Sequence, residues 1–172
     1  PYSANHSQKT AKIAVTVADA MALKESDRDA LEIAANLCNL GKLSIPQALL
    51  TKTEPLTAEE RAVVKNEVQH TREILQNIEF DGPVLETILQ KHEYLDGSGS
   101  QGISGDALLL NARILTAVND FVAMISPRAY RESLPVETAL ATLLKDAGKR
   151  YDRQVVASLF HVAENKINFD TL

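Results

Sequence analysis

The chain is short of everything that would staple or anchor it. Its 172 residues include one cysteine, Cys38, so an internal disulfide framework is excluded and a reducing compartment is favoured. No apolar run approaches the ~20 residues needed to span a bilayer, and no secretory leader pattern opens the chain. Lysine and arginine form no block, and the net charge is −5. Duplex nucleic acid, which needs clustered cations for its phosphates, is therefore excluded as a partner. A small anionic nucleotide held by a few local cations is not. A convincing alternating strand pattern is missing as well. These absences predict a soluble, cytoplasmic chain without membrane insertion.

What is present is an ordinary globular composition, 45% hydrophobic and 24% charged, at a length suited to one domain with a real core. Helical periodicity dominates. Ile13, Val17, Ala20 and Met21 form one stripe. Ser26 and Asp29 have capping-box spacing ahead of Leu31, Ala34, Ala35 and Cys38. Thr57 and Glu60 repeat that spacing ahead of Val64, Val68, Thr71, Leu75 and Ile78, a stripe running to about Phe80. Pro83 opens a stripe of Leu85, Ile88, Leu89 and His92. Leu115, Val118, Val122 and Ile125 mark a further helix. Pro135 precedes Leu140, Leu143, Leu144 and Ala147, with Gly148 as the stop. Asp152 caps a last helix carrying Val156, Leu159, Phe160 and Ala163. The pattern predicts an all-α bundle of about seven or eight helices. One Gly-rich loop interrupts it. Tyr94 to Asp106 holds Gly97, Gly99, Gly102 and Gly105, four of the seven glycines. Such a loop allows close approach to a ligand or partner, but glycine content alone favours a plain surface connector.

Several segments fit one frame in order. Leu37-Cys38-Asn39-Leu40-Gly41-Lys42-Leu43-Ser44-Ile45-Pro46 has the outline of His-Asp-x-Gly-Lys followed by Ile-Pro. Lys52, Pro55 and Leu56 fit the stretch after it. His92-Glu93-Tyr94-Leu95-Asp96-Gly97-Ser98-Gly99 resembles a His-His-Glu-x-x-Asp-Gly-x-Gly block. Ala112-Arg113-Ile114-Leu115, Arg128-Ala129-Tyr130-Arg131 and Ala147-Gly148-Lys149-Arg150-Tyr151-Asp152 follow at fitting distances. Together, almost end to end, they resemble the HD-GYP family, a bacterial branch of the HD phosphohydrolases. The resemblance implies an HD-domain-like helical bundle with a two- or three-metal site that hydrolyses cyclic di-GMP, commonly the output module of a signalling protein with an upstream receiver or sensor domain. The chain opens at Pro1 and reaches a candidate site residue by His6. A single domain over residues 1–172, the C-terminal fragment of a longer multidomain signalling protein, is therefore expected.

Laid on that frame, the metal positions are altered. The first ligand histidine falls on His6, but an acidic residue that some members carry four places earlier falls on Tyr2. The His-Asp pair falls on Cys38 and Asn39, a thiol and an amide that cannot replace an imidazole and a carboxylate at a divalent cation. Lys42 beside it is retained. A later histidine falls on Glu67, with His70 off register. The double histidine falls on Lys91 and His92. The late aspartate falls on Asn119, with Asp120 one place out of frame. The Gly-Tyr-Pro-x-Gly-Leu loop reads Gly99-Ser100-Gln101-Gly102-Ile103, one residue shorter.

Two metals need carboxylates to balance and bridge them, and only Glu67 would be anionic here. Without a metal to lower its pKa, water is a poor nucleophile at neutral pH. The expected function is therefore a catalytically degenerate, regulatory or interaction module of cyclic di-GMP-type signalling that needs no cofactor. Lys42 is the residue that would serve any remaining catalysis. One alternative is a phosphohydrolase with an unusual or mononuclear site, a zinc ion on His6, Cys38, Glu67 and His92. Against it, Cys38 fits equally as a small core residue. A second alternative is a metal-free nucleotide receptor, with Lys42, Arg113, Arg128 and Arg131, and Lys91 beside them, holding phosphate. The partner surface is expected at the loop, Gly97, Gly99, Ser100, Gln101 and Gly102. Its partner would be an upstream domain or another signalling domain, and its glycine content predicts high mobility.

Overall fold

A computed structural model describes residues 2–38, 57–99, 101–127, 132–169 and 172. Over these the chain forms seven α-helices: α1 Tyr2–Ala20, α2 Glu25–Leu37, α3 Ala58–Leu75, α4 Val84–Leu89, α5 Leu110–Ile125, α6 Val136–Lys145 and α7 Arg153–Asn165. A 3-10 turn covers Gly105–Ala107. Among the described residues the extended backbone makes one isolated bridge, Ala147 to Tyr151. The bundle is all-helical, as the periodicity predicts. No described helix is long and apolar enough to cross a membrane.

The core is built around α5. Ile114, Leu115, Ala117, Val118, Phe121 and Val122 are fully buried on it. The helix packs against α1, α2, α4, α6 and α7. Against it lie Ile13 and Val17 of α1, Leu31 of α2, Ile88 of α4, Leu143 of α6, and Val155 and Leu159 of α7. Small residues let α1 and α2 pair closely. Ala14, Ala18, Ala30, Ala34 and Ala35 are all sealed from solvent. Arg28 then crosses the pair to Asp19 at 2.6 Å.

The capping signals divide. Thr57 and Glu60 form the full reciprocal box at the start of α3, and Asp152 accepts from the amides of Gln154 and Val155. The Ser26–Asp29 box does not form, because α2 begins earlier, after Lys24. Glu25 and Asp27 in its first turn complement the helix dipole instead. Ala20 is exposed, and α1 buries Ala14 and Ala18 on its inner face in its place. Ile78 lies past the end of α3 and is 51% exposed, and Leu144 on α6 is 57% exposed. For Leu144 the stripe runs one position off the buried face, which Ala139, Leu140 and Leu143 occupy.

The end of α1 carries local strain. The amide of Leu23 reaches the carbonyl of Ala18, and that of Ala22 reaches Asp19. This is the paired pattern that closes a helix with a left-handed residue. That residue is Ala22, at φ 56°, where a Cβ is disfavoured. Ala22→Gly is expected to raise stability by roughly 0.5–1 kcal/mol, after the extra freedom of glycine in the unfolded chain is allowed for. Urea denaturation of the two proteins checks it, with an unchanged m-value.

Candidate functional site

The altered metal positions do gather in space. α1 brings His6, α2 ends at Cys38, α3 brings Glu67, the turn after α4 brings Lys91, His92 and Glu93, and α5 presents Thr116, Asn119 and Asp120 at helical spacing. Asn39 and Lys42, and also Ser100, Arg128 and Arg131, lie outside the described residues.

At the centre is an ion pair. The Lys91 ammonium is 2.5 Å from Glu67 Oε1, and both side chains are almost wholly buried, at 5% and 1% exposure. Lys91 also donates to the backbone carbonyl of Cys38. That carbonyl belongs to the C-terminal end of α2, where the helix leaves its acceptors unpaired and its dipole is negative. Thr116 Oγ1 donates to the Lys91 carbonyl at 2.8 Å and fixes the turn to α5. His92 Nε2 stands 3.7 Å from Glu67 Oε2, within ion-pair range but too long for a hydrogen bond. Burial pushes the Glu67 carboxyl up, but His92 and the charge of Lys91 outweigh it and hold the group down at about 2.

His6 is turned toward α5. Its Nε2 lies 2.8 Å from Asn119 Oδ1. An amide oxygen only accepts, so the tautomer protonated at Nε2 makes this bond, and its lone pair then lies on Nδ1. Cys38 is 2% exposed and packs in the core. Its thiol donates back to the Ala35 carbonyl at 3.2 Å. These donors do not fit a divalent cation. The imidazole is bonded to an amide, the carboxylate is taken by an ammonium, and the thiol faces its own helix. Among the described residues no group of three or more His, Cys, Asp or Glu side chains is arranged to hold a metal.

Arg113 does not reach this cluster with its guanidinium. Nη1 bonds Asp152 Oδ2 at 3.2 Å and Nη2 bonds the Leu108 carbonyl at 2.8 Å. It braces the cap of α7. The crevice that it lines with Glu93 and Arg150 has no room for a small-molecule ligand.

Two features escaped the sequence reading. The first is the anchor of the Gly-rich loop. Glu93, 2% exposed, accepts from the amides of Gln101 at 2.7 Å and Ile103 at 3.3 Å. The Gln101 side chain donates to the Leu89 carbonyl at 2.7 Å. A Cβ on Gly99 would collide with the Glu93 carboxylate and the His92 backbone. The loop is therefore tied down at its middle, more closely than its glycine content suggests. Gly97, at φ 77°, and Gly102, at φ 69°, turn the chain on either side. The second feature is a half-buried Asp120 that accepts from two phenols, Tyr94 at 3.0 Å and Tyr151 at 2.7 Å. Burial pushes its carboxyl up in spite of those bonds. Arg150 lies over the Tyr94 ring at 4.0 Å. The signal was present: two of the four tyrosines flank the loop and the turn before α7, and Asp120 is the acid out of frame.

The profile of the HD domain family matches residues 1–155. The chain belongs to the HD domain family and is an HD-GYP domain. It is 32% identical over 160 residues to 3'3'-cGAMP-specific phosphodiesterase 3 of Vibrio cholerae, covering 92% of this chain and 35% of that protein. It is 34% identical over 156 residues to the cyclic di-GMP phosphodiesterase response regulator RpfG of Xanthomonas campestris, covering 88% and 41%. The chain thus spans about two fifths of the length of these relatives. Its fold is similar to that of Bd1817, a HDG"Y"P protein of Bdellovibrio bacteriovorus, with a TM-score of 0.78 at 19% identity over 94% of this chain and 52% of that one.

The lowered Glu67 pKa makes the ion pair a contribution that is complete above the unfolded value of 4.5 and lost as pH falls toward about 2. Asp120 has the opposite sign: its raised pKa contributes below the unfolded 3.8 and fades as pH rises. Glu67→Gln leaves the Asp120 contribution in place, so its melting temperature should fall less steeply than the parent's over this acid window. Parallel slopes would contradict the buried pair. Separately, Glu93→Ala should speed amide exchange at Gln101 and Ile103 while leaving α7 unaffected. Hydrogen–deuterium exchange resolved to the loop checks it.

Proposed function

We propose that this HD-GYP domain is a non-hydrolytic regulatory or interaction module in cyclic-dinucleotide signalling. The observation that carries the reading is that the ligand positions satisfy one another: His6 bonds Asn119, and Glu67 bonds Lys91. Hydrolysis by the family's chemistry needs a metal to activate water and neutralise phosphate, and these partners occupy the groups that would hold it. Two matched relatives are named as phosphodiesterases of 3'3'-cGAMP and cyclic di-GMP. Those names support a role for this chain in cyclic-dinucleotide signalling and a cyclic dinucleotide as the ligand class. Because the relatives are more than twice as long, we place a sensor or receiver domain upstream in the same protein, and assign the protein to the cytoplasm. The anchored Gly-rich loop, with Gly97, Gly99, Gln101 and Gly102, is the surface we assign to a partner signalling domain.

The competing reading is a working phosphodiesterase with an unusual metal site. The phosphodiesterase names of the relatives favour it, and Lys42, Arg128 and Arg131 would then meet substrate. The test is a hydrolysis assay on cyclic di-GMP and 3'3'-cGAMP with added manganese or iron. No turnover above the metal-only control is expected. A rate near ~1 per second, within the ordinary enzyme range, overturns the regulatory reading.

A further inference from the structure

We propose that the turn between α6 and α7 is a docking surface for a partner protein, and that it takes an acidic amphipathic segment. The turn collects positive charge on an otherwise acidic chain. Lys145, Lys149, Arg150 and Arg153 fall within nine residues that hold only two acids, while the chain as a whole carries −5. Both acids are engaged. Asp152 caps α7 and pairs with Arg113, and Asp146 acts on Arg150. Lys145, Lys149 and Arg153 are exposed, and among the described residues they make no ion pair. Like charges gathered without counter-ions repel one another, and an acidic partner relieves that repulsion. Leu144 adjoins them on the last turn of α6. At 57% it is the most exposed large apolar side chain among the described residues. An apolar centre with a charged rim is the anatomy of a protein interface.

The turn is also held in place. The amide of Gly148 donates to the Tyr151 carbonyl at 2.7 Å, and that of Leu95 to the Arg150 carbonyl at 3.0 Å. Arg150 lies over the Tyr94 ring. Gly148, at φ 82°, leaves the space that the Arg153 guanidinium fills, where a Cβ would collide with it. A partner therefore meets a backbone that needs little ordering. The bond to Leu95 joins the turn to the start of the Gly-rich loop, so the two surfaces are continuous. Chemistry favours a protein segment over other anions. A phosphate backbone offers nothing to Leu144 and needs more cations than one turn supplies. An anionic membrane would gain from three cations and one leucine but would repel the acidic remainder.

This inference stands whether or not the cleft hydrolyses nucleotide, since its readout is binding at the turn. The probes are a helical peptide with leucines on one face and glutamates beside them, the same peptide with serines for leucines, duplex DNA, and phosphatidylserine vesicles. Fluorescence anisotropy on the 172-residue chain should show the first peptide binding in low salt and weakening as salt rises. Amide shifts should centre on residues 144–153. Lys149→Glu with Arg153→Glu should weaken binding by about tenfold or more, and Leu144→Ser by about tenfold. Lys145 is left unaltered because it complements the α6 dipole. A peptide with lysines for glutamates should bind the double variant better than wild type, which a merely misfolded variant would not do. The proposal is overturned if the acidic peptide does not bind, if its shifts map elsewhere, or if the double variant binds it as wild type does. Equal binding of the serine peptide, or tighter binding of DNA or vesicles at the same residues, also overturns it.

Discussion

A buried carboxylate must meet a positive charge, and in this domain Glu67 sets that demand. Its side chain is 1% exposed, and the partner that answers it is equally enclosed. Separately, each group would carry a large desolvation cost; together they are neutral, and the neighbouring carbonyl of Cys38 takes a further donor from the ammonium. The end of α2, the inner side of α3 and the exit from α4 are held where they are by this one arrangement. Loss of either partner would leave the other stranded, which costs far more than an exposed ion pair of the same length.

From that centre the consequences spread along α5. One side of the helix is apolar and forms the core. Its Thr116, Asn119 and Asp120 reach three separate parts of the chain: Lys91, His6, and the tyrosine pair. Through Tyr94 and Tyr151 the helix is coupled to both ends of the region that contains the Gly-rich loop. Glu93 then fixes the loop's interior by accepting two of its amides. Polar groups at the ligand positions of the family pattern bond to one another here.

Membership of the HD domain family accounts for the scaffold, and the departures from its pattern act together. An amide at position 119 bonds His6, a lysine at position 91 neutralises Glu67, and the thiol of Cys38 turns back on its own helix. Random loss of single ligands would leave buried donors and acceptors without partners. Here the altered residues pair with what remains, His6 with Asn119 and Glu67 with Lys91.

Much of this was legible in the chain itself. Periodicity of apolar residues and the Thr57 and Asp152 caps define the helices, because helix formation is governed by local spacing and by groups within one turn. The order of the motif fragments identified the scaffold, and the same frame showed which ligand positions had changed. Tertiary structure decided what the changed residues do. Lys91 next to His92 is only a substitution until α3 brings Glu67, 24 residues earlier, to within 2.5 Å. Arg113 read as a phosphate ligand until Asp152, 39 residues on, took its guanidinium. Glycine content marked the loop, but only packing brings the buried Glu93 carboxylate to the amides of Gln101 and Ile103. Propensity acts over a few residues, whereas burial and charge pairing depend on which distant side chains the packed helices bring together.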